Sequence, residues 1–131
     1  MADLFNKIGE QTFDGLFADV KPSPIVEAGT IRKLGTAATI KAGTVLAISG
    51  GSAGDGKLVV LGTTAASNET LTAYAILADD YAVGTSADVV AQVYKTGTFK
   101  EAKLTVATGY TITAADLDAL RNGGIFIKAE Q

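Results

Sequence analysis

Apolar and polar positions alternate in short runs along most of this chain, and glycine-bearing polar segments separate the runs. That spacing predicts β-strands in preference to long helices. Residues 30–34, 38–41, 44–48 and 57–61 read as strands, with Ala42-Gly43 as the turn before the third. Between the last two, residues 49–56 carry Gly50, Gly51, Gly54 and Gly56 and predict a flexible hairpin tip. Residues 71–77 read as a central strand buried on both faces, which Asp79 and Asp80 end by turn bonding. Residues 88–95 alternate like a half-buried strand, and a turn at Thr96-Gly97 precedes extended residues 98–100 and a short strand at 103–107. The one clear helix begins at Thr113, whose hydroxyl caps free backbone N–H groups, with Asp116 at the positive end and Arg121 at the negative end. Asn122-Gly123-Gly124 stops it, residues 125–128 form a last strand, and Leu117 and Leu120 are expected to face the core.

The first 24 residues follow a different pattern. Phe13, Leu16, Phe17 and Val20 recur at the spacing of one helix face, while Gly9 and Gly15 make an isolated helix there marginal. Lys21-Pro22-Ser23-Pro24 then holds both prolines of the chain, each fixing φ and pushing the residue before it toward an extended backbone. The expected organisation is an N-terminal arm, residues 1–24, and a mainly β domain with one short helix, residues 25–131. Phe5, Phe13 and Phe17 lie in the arm, so it either packs back on its own domain or docks on a partner.

Composition narrows the chemistry. The 131 residues suit one domain, large enough to be held by a hydrophobic core without a disulfide or a structural metal. Histidine, cysteine and tryptophan are absent, which removes the usual general base, zinc ligands and thiol nucleophile. An enzyme would be left with carboxylate, lysine, tyrosine or hydroxyl chemistry in a tuned cluster. The 11 basic and 14 acidic residues leave a net charge of −3, so no basic field collects nucleic acid. Lys7 stands against Asp3, Glu10, Asp14 and Asp19 within residues 1–20, whereas Arg32, Lys33, Lys41 and Lys57 outnumber Asp55 between residues 31 and 60. No apolar run approaches bilayer length and the start has no basic region ahead of an apolar one, which predicts a soluble, unexported protein with no membrane partner.

The candidate motifs are weak as sites. The glycine-rich loop runs from strand to strand, lacks a Gly-Lys-Ser/Thr ending and opens no helix, so a surface tip is the better reading than a phosphate cradle. Asp79 and Asp80 are adjacent and point to opposite faces of a strand, so they cannot share a proton. Tyr74, Tyr81, Tyr94 and Tyr110 are scattered, and Tyr74 and Tyr94 fall in strand patterns as core or subunit-contact residues. No cofactor, metal or catalytic residue is expected.

Ala75-Ile-Leu-Ala-Asp-Asp80, the stretch from Asp88 through Tyr94 and Gly97 to Phe99, and the stretch from Asp116 to the closing Ile125-Phe126-Ile127 occur in an order that resembles the head decoration proteins of tailed bacteriophages, the family of the lambda capsid-stabilising protein. Residues 36–48, with Lys41-Ala-Gly-Thr-Val-Leu46, are similar to that family's first hairpin. The resemblance implies a small β-clip-like domain with an extended N-terminal arm. It further implies a homotrimer at local threefold sites on the outer surface of an expanded head, assembled in the host cytoplasm. There it would clamp the major capsid protein against internal DNA pressure. The family's arm often adds a strand to a capsid element; the arm here is more helix-patterned, and whether it binds as strand or helix stays open. The residues expected to meet the shell are Leu4, Phe5, Phe13, Leu16, Phe17, Val20 and Ile25. The alternative is a β-rich accessory module of a virion fibre that binds sugar or peptide, which would gather the tyrosines on one exposed face.

Overall fold

The structure, a computed structural model, describes residues 17–19 and 24–128. Its strands are β1 (Phe17–Asp19), β2 (Ile25–Ile31), β3 (Ala38–Ile40), β4 (Val45–Gly50), β5 (Leu58–Val60), β6 (Thr70–Leu77), β7 (Tyr81–Val83), β8 (Val89–Lys100) and β9 (Ile125–Lys128). A 3-10 turn covers Glu101–Lys103, and one α-helix, α1, covers Ala114–Gly123. The chain is therefore mainly β with a single short helix among the described residues.

Strand pairing closes a small barrel. β8 pairs antiparallel with β2, β2 meets β5 through the single pair Ile31 and Leu58, and β5, β4 and β6 follow antiparallel. β6 returns to β8 by Ile76 with Tyr94 and Leu77 with Val93. Gly29 lies beside the β2–β5 seam: a Cβ there would stand 2.6 Å from Leu58 Cδ1, so a larger residue would require the buried Leu58 side chain to shift. β3 and β7 form a separate two-stranded ribbon.

Two apolar clusters share these strands. Ile31, Leu46, Leu58, Leu77, Ala91 and Val93 fill the barrel interior, while Val45, Ala47, Val59, Ile76 and Phe99 lie on the other face beneath Leu120 and Ile125. Successive strand residues point to opposite faces, so a strand covered on both sides must be apolar at consecutive positions. Val45, Leu46 and Ala47 accordingly divide between the two clusters. Each buried Leu, Ile or Phe contributes about 1.5–3 kcal/mol of transfer free energy.

Several expectations hold. Residues 44–48 and 57–61 do form a hairpin, β4–β5, and residues 125–128 form β9. At α1, Thr113 Oγ1 accepts from the Asp116 N–H at 3.2 Å while the Asp116 carboxylate accepts from the Thr113 N–H at 3.0 Å. This is a reciprocal capping box, and Gly124 ends the helix at φ 104°. Leu120 is buried as expected, but Leu117 is only half-buried beside Tyr110, and Ala119 is the further helix residue packed on the core.

Other expectations are corrected. The strand placed at residues 30–34 runs from Ile25 to Ile31, because its register follows β8. The run at 71–77 is deeply buried only in its second half. Thr96-Gly97 is no turn: β8 continues to Lys100, since Gly97 pairs with Ile125 and its N–H donates to the Gly124 carbonyl. Residues 103–107 hold a single parallel bridge, Thr105 with Thr44, in place of a strand. β7 was legible to no local pattern and forms by pairing with β3. Residues 49–56 are not a free tip: Ser49 and Gly50 belong to β4, and the Ala53 N–H donates to the Asn68 carbonyl at 2.9 Å.

Candidate functional site

The arm enters the described structure as a strand. Phe17 and Asp19 of β1 pair antiparallel with Phe99 and Thr98 of β8, so residues 17–19, which the helical spacing left open between helix and strand, are extended. The physical reason is partnership: a marginal helix makes only internal bonds, whereas an extended segment beside β8 gains a ladder. On the same stretch, β9 runs parallel, pairing Gly97, Thr98, Phe99 and Lys100 with Ile125, Phe126, Ile127 and Lys128. The end of β8 is thus the middle of a three-stranded sheet in which β1 pairs with no other strand among the described residues. Ile25 opens β2 opposite Thr96 and is 52% exposed. Leu4, Phe5, Phe13, Leu16 and Val20 lie outside the described residues. Of the seven expected shell contacts, Phe17 and Ile25 are therefore placed, and they pair with β8 within four residues of each other.

The platform under this sheet is apolar and closely packed. Phe99 is fully buried, its ring centroid 5.8 Å from that of Tyr94, and it packs with Leu120 and Ile125. The Tyr110 hydroxyl donates to the Asp116 carboxylate, which raises the tyrosine's pKa by hydrogen bonding and charge and holds the loop before α1 on the helix start. Lys95 stacks over the Tyr74 ring at 3.3 Å and donates to the Tyr74 carbonyl, and burial lowers its pKa. Among the described residues no cluster of acidic side chains could hold a metal, and no helix is long and apolar enough to cross a membrane.

Against this geometry, residues 8–125 match the family described as Bacteriophage lambda head decoration protein D. The chain belongs to that family. No curated protein matches it. Membership makes it a structural component of a phage virion that associates with the capsid. The ordering of strands and helix that carried the resemblance reappears as the β6–β8–α1–β9 unit.

The tyrosines of this decoration protein do not form a surface. All four are half-buried, Tyr94 and Tyr110 against the cluster under α1 and Tyr74 and Tyr81 against the barrel interior. A sugar-stacking face would need them side by side and exposed.

Sequence reading missed the charged knot at the opposite end of β2. Arg32 donates to Asp55 at 3.0 and 3.1 Å and to Glu69 at 2.5 Å, and the Ser49 hydroxyl also donates to Glu69. Three chain segments far apart in sequence meet here, so no local motif announces it. The Glu69 side chain is only 4% exposed. Its pKa drops to about 2, chiefly through the Ala66 N–H and then through Ser49 and Arg32; Asp55 also falls to about 2, chiefly through Arg32. Both carboxylates are depressed in the folded state, so their stabilisation is complete above the ordinary values of 4.5 and 3.8 and is lost as pH falls toward 2. Denaturant midpoints should stay level from neutral pH to about 4.5 and then fall. Glu69→Gln should flatten the fall and lower the neutral-pH midpoint; equal slopes for both proteins would refute the assignment.

Proposed function

We propose that this chain cements an expanded phage head. It binds as a homotrimer at local threefold sites on the outer surface, contacts the major capsid protein through its arm, and stabilises the shell against internal DNA pressure. The chain is made and assembled onto heads in the host cytoplasm. The observation that carries this reading is β1, which lies on β8 with its outer edge unpaired among the described residues. An edge strand offers a row of backbone donors and acceptors to a strand of another chain, so the arm can add a capsid element without a preformed pocket.

Each added hydrogen bond is worth a net 0.5–1.5 kcal/mol, roughly, so one arm holds weakly. Three arms on one trimer make the second and third contacts intramolecular, which multiplies affinity by about 10²–10⁴ if the geometry allows all three to engage. The clamp uses no cofactor and no catalytic residue. Mixed with expanded, undecorated heads, the purified protein should sediment with them at three copies per threefold site and raise the temperature at which they rupture. Failure to co-sediment with expanded heads at micromolar protein would overturn the proposal.

A further inference from the structure

The register of β1 on β8 sets the course of the chain that precedes it. Phe17 lies opposite Phe99 in an antiparallel pair, so the residues before Phe17 head toward Lys100 and the 3-10 turn at Glu101–Lys103. Carried on, that register brings Gly15 level with Glu101, just past the end of β8. Residues opposed in a ladder share a face of the sheet, and so do residues two apart along a strand. A continued ladder would therefore bring Phe13 out on the side where Phe99 meets Leu120 and Ile125.

On that side Glu101, Tyr110, Thr111, Ile112 and Leu117 line a cleft of about 260 Å³. Its volume lies below the roughly 300–1,000 Å³ of small-molecule sites and suits one large side chain. Tyr110 and Ile112 pack on the same core cluster as Phe99, and Leu117 is half-buried beside them. The Tyr110 hydroxyl is engaged by Asp116, and Glu101 and Thr111 are exposed, so the wall between them is apolar. We propose that this cleft takes the side chain of Phe13 from the same chain, closing the arm back on its own domain in the free protein.

Reach, bending and charge select that occupant. Four residues take the chain from Phe17 to Phe13, at most about 14 Å when extended, and Glu101 on the cleft wall is only two residues beyond Phe99. Gly15 falls where the ladder runs out and the chain has to turn, and glycine turns without steric cost. Lys100 and Lys128 are register partners, and Lys103 follows in the 3-10 turn, so three cations stand with Glu101 at this end of the sheet. The arriving residues carry Glu10 and Asp14. Surface charges of this kind contribute little each, so they guide the segment while the covered ring supplies most of the hold. Phe13 is then kept covered until a shell draws the arm out. The inference goes beyond the cementing reading, which is decided by binding to heads, because this contact is read on the free protein.

The test is amide hydrogen exchange of the free full-length protein, followed over residues 10–16 in wild type, Phe13→Ser and Leu117→Asn. Wild type should exchange there at least about tenfold more slowly than Phe13→Ser, and Leu117→Asn should lose the same protection, with β2 to β9 unchanged in Phe13→Ser. Exchange of residues 10–16 in wild type at the rate of an unstructured chain would overturn the proposal. Protection that survives Leu117→Asn would overturn the placement of Phe13 in this cleft. Should Leu117→Asn lose its folded spectrum, Thr111→Glu takes its place with the same two readings, since it adds a carboxylate at the exposed rim beside Glu101 and opposes the arriving Asp14. Neither outcome bears on whether the protein binds heads.

Discussion

Deletion of residues 1–20 should abolish binding to expanded heads while the domain remains folded. The deletion removes β1 together with Leu4, Phe5, Phe13, Leu16, Phe17 and Val20, and leaves the barrel strands β2, β4, β5, β6 and β8 in place. If three arms act together, losing them forfeits the avidity as well as each single contact, so apparent affinity should fall by about 10²-fold or more. Co-sedimentation with heads measures the loss, and cooperative thermal unfolding of the truncated protein confirms that the domain persists. Ala18→Pro sharpens the test, because proline removes one backbone donor from the middle of β1 and leaves the apolar side chains of the arm untouched. A strand-adding arm should lose most of its binding on that change. Full binding by the truncated protein would transfer the shell contact to the domain.

Phe99→Ala should be the most damaging single substitution in the core. The ring is fully buried where β1, β8 and β9 come together, and it touches the cluster that seats α1 on the barrel. Truncating a buried phenylalanine costs about 3–5 kcal/mol, transfer free energy plus the cavity left behind. A domain of this size has about 5–15 kcal/mol in total, so the variant should lie near the edge of folding. The corresponding drop in melting temperature is about 10–20 °C, to be read by circular dichroism at matched protein concentration because association shifts the midpoint. A loss below about 1 kcal/mol would mean that the surrounding residues close the cavity and that the platform under the arm does not depend on this ring.

Phe99 also shows where local pattern stops being informative. Thr96-Gly97 carries a turn signal, and in isolation the pair would end the preceding strand. In the fold Gly97 takes φ 143° inside a continuous β8, because β9 supplies a partner from nearly thirty residues later. The arm is the same case reversed: helical spacing is a weak preference at Phe17, and the ladder offered by β8 outweighs it. The charged knot of Arg32, Ser49, Asp55 and Glu69 has no spacing to read at all, since its members lie just after β2, on β4, in the β4–β5 loop and in the turn before β6. α1 was legible down to its cap, because Thr113 and Asp116 satisfy each other's backbone within three residues.

By itself the sequence determined the mainly β composition, the one capped helix, the hairpin around residues 49–56, and the absence of histidine and cysteine chemistry. Each of these follows from residue identity or from contacts a few positions apart. Only the tertiary structure decided the closure of β2, β5, β4, β6 and β8 into a barrel, the strand form of Phe17–Asp19, and which apolar outer faces receive a cover. Those features depend on pairing between distant segments, and the alternation that permits such pairing does not name the partner.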